Sequence, residues 1–179
     1  MELIHLHFGK RNILVLLSLL ILVQSCIPGL YKFSGTSFDP QIKTFYIGTF
    51  EIQSQNAPPT ITQTFEEALK IKIRRESPLK ESDLNPDIEF KGKISNFLVT
   101  SEAPAAGELI GFNRLTIALT IEYIDYFHGD KPEFNWTQTF SFFSDFGAEQ
   151  NLLDVQDQLI ETISAQIVED IFNKAFTNW

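Results

Sequence analysis

Residues 113–123 read NRLTIALTIEY, and the alternation in that stretch decides the fold. Leu115, Ile117, Leu119, Ile121 and Tyr123 take every second position, with Thr116, Ala118, Thr120 and Glu122 between them. A period of two sends one set to each face of a β-strand, so this strand is buried on one side only. Upstream, Ile88, Phe90 and Ile94 alternate with Glu89, Lys91, Lys93 and Ser95, predicting a strand over 87–100. The turn-rich SEAPAAGELIG separates the two. Downstream, HGDKP at 128–132 reads as a hairpin loop, and Phe134, Trp136, Phe140 and Phe142 share one parity of a strand reaching about Phe146. Three strands joined by loops predict an antiparallel meander.

The flanks complete the pattern. TFYIGTFEI at 44–52 is rich in β-branched and aromatic residues and predicts a first strand. Thr60 and Gln63 have capping-box spacing, and Phe65, Ala68, Leu69 and Ile73 recur at helical intervals, predicting a helix over 61–76. From Asn151 to Phe176, Leu152, Val155, Leu159, Ile163, Ile167, Ile171 and Ala175 form one stripe without Gly or Pro. The order βαβββα, with one apolar stripe per helix, predicts an α+β two-layer sandwich with two helices on one face of a four-stranded mixed sheet. Its first strand and helix form a crossover.

That arrangement leaves the other sheet face open. Its parity holds Thr116, Ala118, Thr120, Thr137, Thr139 and Ser141, all small and uncharged. A freely solvated antiparallel face more often carries Lys and Glu, so this one suits a close neighbour. Ala118, Thr120 and Thr139 are the candidate partner-facing residues. The strand propensity of threonine on a wet surface explains the same pattern equally well.

The N-terminus has the parts of a secretory leader: Lys10 and Arg11, an apolar run from Ile13 to Val23, and the small residue Ser25. That run is far shorter than the roughly 20 residues of a membrane-spanning helix. Val-Gln-Ser-Cys at 23–26 resembles a lipobox, which makes Cys26, the chain's one cysteine, a diacylglycerol attachment point. The expected organisation is a leader over 1–25, a lipidated tether over 26–42 and a single α+β domain over 43–179. A diacyl anchor meets the two-chain requirement for stable membrane attachment. No aspartate follows Cys26 to retain the chain at an inner membrane, so the expected location is the outer membrane, facing the periplasm.

Charge and composition exclude several functions. Losing Lys10, Arg11 and Glu2 with the leader leaves 12 basic against 22 acidic side chains, a net −10. Such a surface repels nucleic acid. His5 and His7 leave with the leader, so His128 is the mature chain's one histidine, and it reads as a solvated turn residue. With Cys26 acylated, neither a Cys/His dyad nor a Cys/His zinc site can be assembled. No G-x-S-x-G stretch or phosphate-cradling glycine loop is present. Glu66-Glu67 and Glu169-Asp170 read as solvated helix faces. Neither a catalytic residue, a metal ligand nor a cofactor is expected.

Several stretches in order, YKFSGTSF, KTFYIGTFEI, PTITQTFEEALK, NRLTIALTI and VEDIFNKAFTNW, resemble the Bacteroidetes branch of the LptE family. These are lipopolysaccharide-assembly lipoproteins of the outer membrane. The resemblance implies two helices on a four-stranded sheet and a non-enzymatic role. The protein would plug and help assemble an LptD-like outer-membrane β-barrel, and assist lipopolysaccharide passage to the outer leaflet. A periplasmic scaffold lipoprotein of another envelope machine is the alternative, and a carboxylate-dependent envelope enzyme is a third reading. Phosphates of lipopolysaccharide need local cations on so acidic a domain. Lys91, Lys93 and Arg114 are the candidates, followed by KIKIRR at 70–75. Pairing of the two lysines with Glu89 accounts for them more simply.

The lipobox reading makes a direct prediction. A fatty-acid analogue fed to cells should label the wild-type protein and leave Cys26→Ala unlabelled; equal labelling of both overturns it.

Overall fold

The computed structural model describes residues 39–103, 111–129 and 131–177. The leader, Cys26, and the tether up to residue 38 lie outside the described residues. Six strands and two helices follow in order: β1 (Thr44–Ile47), β2 (Glu51–Ile52), α1 (Ile61–Glu76), β3 (Lys80–Glu81), β4 (Ile88–Glu102), β5 (Phe112–Asp125), β6 (Trp136–Gly147) and α2 (Leu152–Phe176). They form one sheet in the order β3-β1-β4-β5-β6, with β2 also paired to β4. β4, β5 and β6 are the predicted antiparallel meander, while β1 and β2 run parallel to β4. The architecture is therefore α+β, with two more short strands than the sequence predicts. No helix among the described residues is long and apolar enough to cross a membrane.

The extra strands have identifiable causes. Residues 44–52 make two short strands instead of one, because the Gly48 N–H already donates to the Phe90 carbonyl and the chain detours through Phe50. Phe50 then lies over Gly92 of β4 and is nearly fully buried. Its N–H donates to Glu66 Oε1 on α1 (2.7 Å), so Glu66 fixes this detour and is not a solvated helix residue. β3 is only Lys-Glu, too short and polar to show any period.

The core is the face the alternation predicts. Leu115, Ile117, Leu119 and Ile121 are fully buried and Tyr123 nearly so, meeting Phe65, Leu69 and Ile73 of α1 and Ile163, Ile167 and Ile171 of α2. Thr60 stands at the N-cap of α1, but in helical dihedrals and without a side-chain bond, so the capping box does not form. Asn151 does cap α2, accepting from the Leu153 N–H (3.1 Å). Between the helices Lys72, 8% exposed, pairs with Glu76 (2.8 Å) and with Glu169 of α2. Burial alone would lower the Lys72 pKa, and its bonds to Glu169 and Glu76 outweigh that and raise it. Glu169 is thus an interhelix partner, where the sequence suggests solvent.

One irregularity shapes everything downstream of it. The β4–β5 register shifts between Ile94 and Asn96, so Ser95 is an extra residue on β4. Before the bulge Phe90 and Ile94 point into the core; after it Phe97 does, and Leu98 turns to the open face.

Close packing at Gly92 is directly testable. An added Cβ there would come within 2.6 Å of the Phe50 ring. Gly92→Ala should lower unfolding stability by about 1–3 kcal/mol. In a Phe50→Ala background that loss should shrink, as measured by denaturant melts in a double-mutant cycle. Equal losses in both backgrounds would mean the ring is not the obstacle.

Candidate functional site: the open face of the sheet

Register fixes the rows of the open face, three strands wide. Lys91, Glu122 and Thr137 form one row and Lys93, Thr120 and Thr139 the next. Asn96, Ala118 and Ser141 follow, then Leu98, Thr116 and Phe143, and finally Thr100, Arg114 and Asp145. Ala118, Thr120 and Thr139 therefore lie together at its centre.

The central hydroxyls are already occupied. Ser95 Oγ donates to the Ala118 carbonyl (3.2 Å), so its one proton is spent. Thr120 Oγ1 donates to Ser95 (3.4 Å), which leaves Thr139 as the donor in the 2.8 Å Thr139–Thr120 bond. Ser141 Oγ donates to the Ile117 carbonyl (3.2 Å). Each of these four hydroxyl protons is used within the sheet. A neighbour can therefore cover these four hydroxyls without stranding their protons, and a stranded donor is costly to bury.

Beyond the strip the face becomes apolar. Leu98 and Phe143 are 46% and 44% exposed, beside a partly buried Phe112. Arg114 lies over Phe143, 3.8 Å from the ring centre, and 5.5 Å from that of Phe112. Its guanidinium grips Asp145 with two bonds, 2.7 and 3.0 Å. That bond raises the Arg114 pKa and holds the Asp145 carboxyl below its ordinary value. Simple alternation hid this patch, because without the bulge Leu98 would share the parity of Ile94.

The three predicted cations do not form one patch. Lys91 lies 3.7 Å from Glu89, and Lys93 lies 3.9 Å from Glu51 of β2. Arg114 is six residues along β5 from Thr120, the partner of Lys93, which is roughly 20 Å on a strand. Its fork is also committed to Asp145. KIKIRR offers no free cluster either: Lys70 pairs with Glu81, Lys72 with Glu76 and Glu169, Arg74 with Glu67 and Glu81, and Arg75 with Glu76.

His128 is not a solvated turn residue. Its Nδ1 lies 2.9 Å from Asp125 Oδ2, its Nε2 lies 3.5 Å from Asp39, and its ring stacks on Phe134 at 4.0 Å. The backbone N–H of His128 donates to the other Asp125 oxygen (2.8 Å). Asp125 and His128 line a cavity of about 380 Å³ with Glu133, Trp136 and Lys174, and no Ser, Thr or Cys lines it. An Asp-His pair without a nucleophile beside it ties the hairpin to the start of the domain.

The fold is that of a two-layer α+β domain whose sheet carries an uncovered face, with its central hydroxyls bonded to one another and to the backbone. The chain belongs to the lipopolysaccharide-assembly family LptE, whose model matches residues 42–175. This is a non-enzymatic family of envelope-associated lipoproteins. Among curated proteins none matches the chain in sequence. Solved structures similar to it include a minor lipoprotein from Acinetobacter baumannii, at 14% identity and TM-score 0.46, with 76% of this chain and 97% of that one covered. The hypothetical protein CT253 from Chlamydia trachomatis aligns at 7% identity and TM-score 0.49, over 74% of this chain and 97% of that one. A PelC dodecamer from Paraburkholderia phytofirmans gives 12% and 0.42, over 71% and 86%.

Proposed function

We propose that the domain is the lipid-anchored partner of an LptD-like outer-membrane β-barrel, seated in its lumen and assisting lipopolysaccharide passage to the outer leaflet. Family membership supports the pathway. The observation that carries the plug reading is the central strip of Ser95, Thr120, Thr139 and Ser141, whose hydroxyl protons are all used internally. Large barrels have polar lumens, and a neutral, satisfied face can lie against such a wall at low desolvation cost. A diacylglycerol on Cys26 would hold the domain at the outer membrane, where the barrel is built.

Lipopolysaccharide phosphates approaching the open face would meet Lys91 and Lys93, each about half exposed and weakly paired. Arg114, bound to Asp145 and stacked on Phe143, contributes to the fold of the face instead. Replacing Lys91 and Lys93 with Gln should weaken lipopolysaccharide binding about tenfold at low salt and flatten its salt dependence. Arg114→Gln should leave binding unchanged and lower the melting temperature. Unaltered binding by the double lysine variant removes both residues from the site.

Ala118→Glu tests the plug reading itself. Ala118 sits between Asn96 and Ser141 at the centre of the strip, so a carboxylate there points away from the core. Copurification with the barrel in mild detergent should be lost while the thermal melt is retained. Full association of a normally folded variant means that this face is wet in the complex.

A further inference from the structure

β6 ends the sheet, and among the described residues it pairs only with β5. Three bonds fix where its backbone groups point. The Asp125 N–H donates to Asn135 Oδ1 (2.7 Å), and the Ile117 carbonyl accepts from Ser141 (3.2 Å). Odd-numbered residues of β5 therefore direct their backbone toward β6. The Ala118 carbonyl, accepting from Ser95, points the other way, toward β4. The β6 partners of the odd residues are Trp136, Gln138, Phe140, Phe142, Ser144 and Phe146, which spend their N–H and C=O on β5. Thr137, Thr139, Ser141, Phe143 and Asp145 accordingly aim theirs at the free edge.

A bare edge is a template for another strand, and proteins usually blunt it with Lys, Pro, a bulge or very short length. The opposite edge shows such blunting: β3 is two charged residues, Lys80 and Glu81. β6 shows none of it. The strand runs 12 residues, where about five or six is usual, and contains no Lys, Arg or Pro. Its register with β5 has no shift, and its one charge, Asp145, is held by Arg114.

We propose that this edge accepts an added strand from the barrel partner, a β-augmentation that fixes the domain in the complex. The inference rests on the plug reading above. The segment that fits is extended and nearly uncharged, alternating small polar with apolar side chains. Its polar side continues the row Thr137, Thr139, Ser141. Its apolar side covers Trp136 and Phe142, which β5 and α2 leave half-buried. A barrel's wall strands have both edges paired, so the segment comes from a loop folded into the lumen, as large barrels commonly carry. A second copy of this chain fits less well, because two chains that each carry a net −10 without their leaders repel.

Residue-resolved hydrogen exchange, on the protein alone and in complex with the organism's own large outer-membrane barrel, tests this. The amides of Thr137, Thr139, Ser141, Phe143 and Asp145 should exchange fast in the free protein and slow at least tenfold in the complex. Fast exchange in the complex overturns the proposal. Slowing in the free protein as its concentration rises also overturns it, in favour of self-pairing. A barrel that fails to copurify at all overturns the plug reading first. As a second measurement, Ser141→Pro removes one outward N–H that an edge strand can lose without unfolding. Ser141→Ala keeps it, and both variants lose the bond to Ile117. Proline should weaken barrel association by about tenfold relative to alanine, the worth of one backbone hydrogen bond. Equal association of two folded variants overturns the proposal.

Discussion

β5 hydrogen-bonds along both its edges, to β4 from Glu102 back to Ile88 and to β6 from Gly147 back to Trp136. The rest of the domain depends on that double pairing. It fixes which side chains of three strands share a face, and so where two amphipathic helices can bury their stripes. A slip of one residue would exchange the two faces of a strand. Leu115 to Tyr123 would then meet water and the threonines would meet the helices. The buried face makes that slip prohibitive, and the same restraint assembles the neutral strip on the other side.

The bulge at Ser95 lets one strand serve both faces over fifteen residues. It keeps Phe97 in the core after Ile94, and it sends Leu98 out to join Phe143 and Phe112. Ser95 itself is recruited, through its hydroxyl, into the chain of bonds that ends at Thr139. A single inserted residue thus produces two halves of the open face with different chemistry: a hydrogen-bonded neutral strip and an apolar patch crossed by one arginine.

Ion pairing explains why so acidic a chain shows little free positive surface. The cations of 70–75 hold α1 to its own acids, to β3 and to α2. Arg114 is spent on Asp145 and two aromatic rings. Among the cations of the open face, Lys91 and Lys93 have the loosest pairs, at 3.7 and 3.9 Å, and can exchange a carboxylate for another anion. Electrostatics on this domain mostly serve the fold, which leaves its neutral face and bare edge as the surfaces available to a partner.

By itself the sequence determined the class of the fold, the spans of both helices, the three long strands to within a few residues, and the identity of the core stripe. Each of these follows from a period within a single segment, where burial of one face forces apolar residues to recur. It also marked Thr120 and Thr139 as members of one face. Phe134, read as part of the last strand, instead ends a 3-10 turn at Pro132–Phe134 before β6 begins at Trp136. Tertiary structure alone decided the split of residues 44–52, the strand β3, the bulge at Ser95, the bonds of Glu66, Glu169 and His128, and the separation of Arg114 from the two lysines. Those features depend on partners far along the chain, such as Phe90 for Gly48 or Lys72 for Glu169, and no local period records them. The bare edge of β6 belongs with them, because a strand has an edge only once the order of the whole sheet is set.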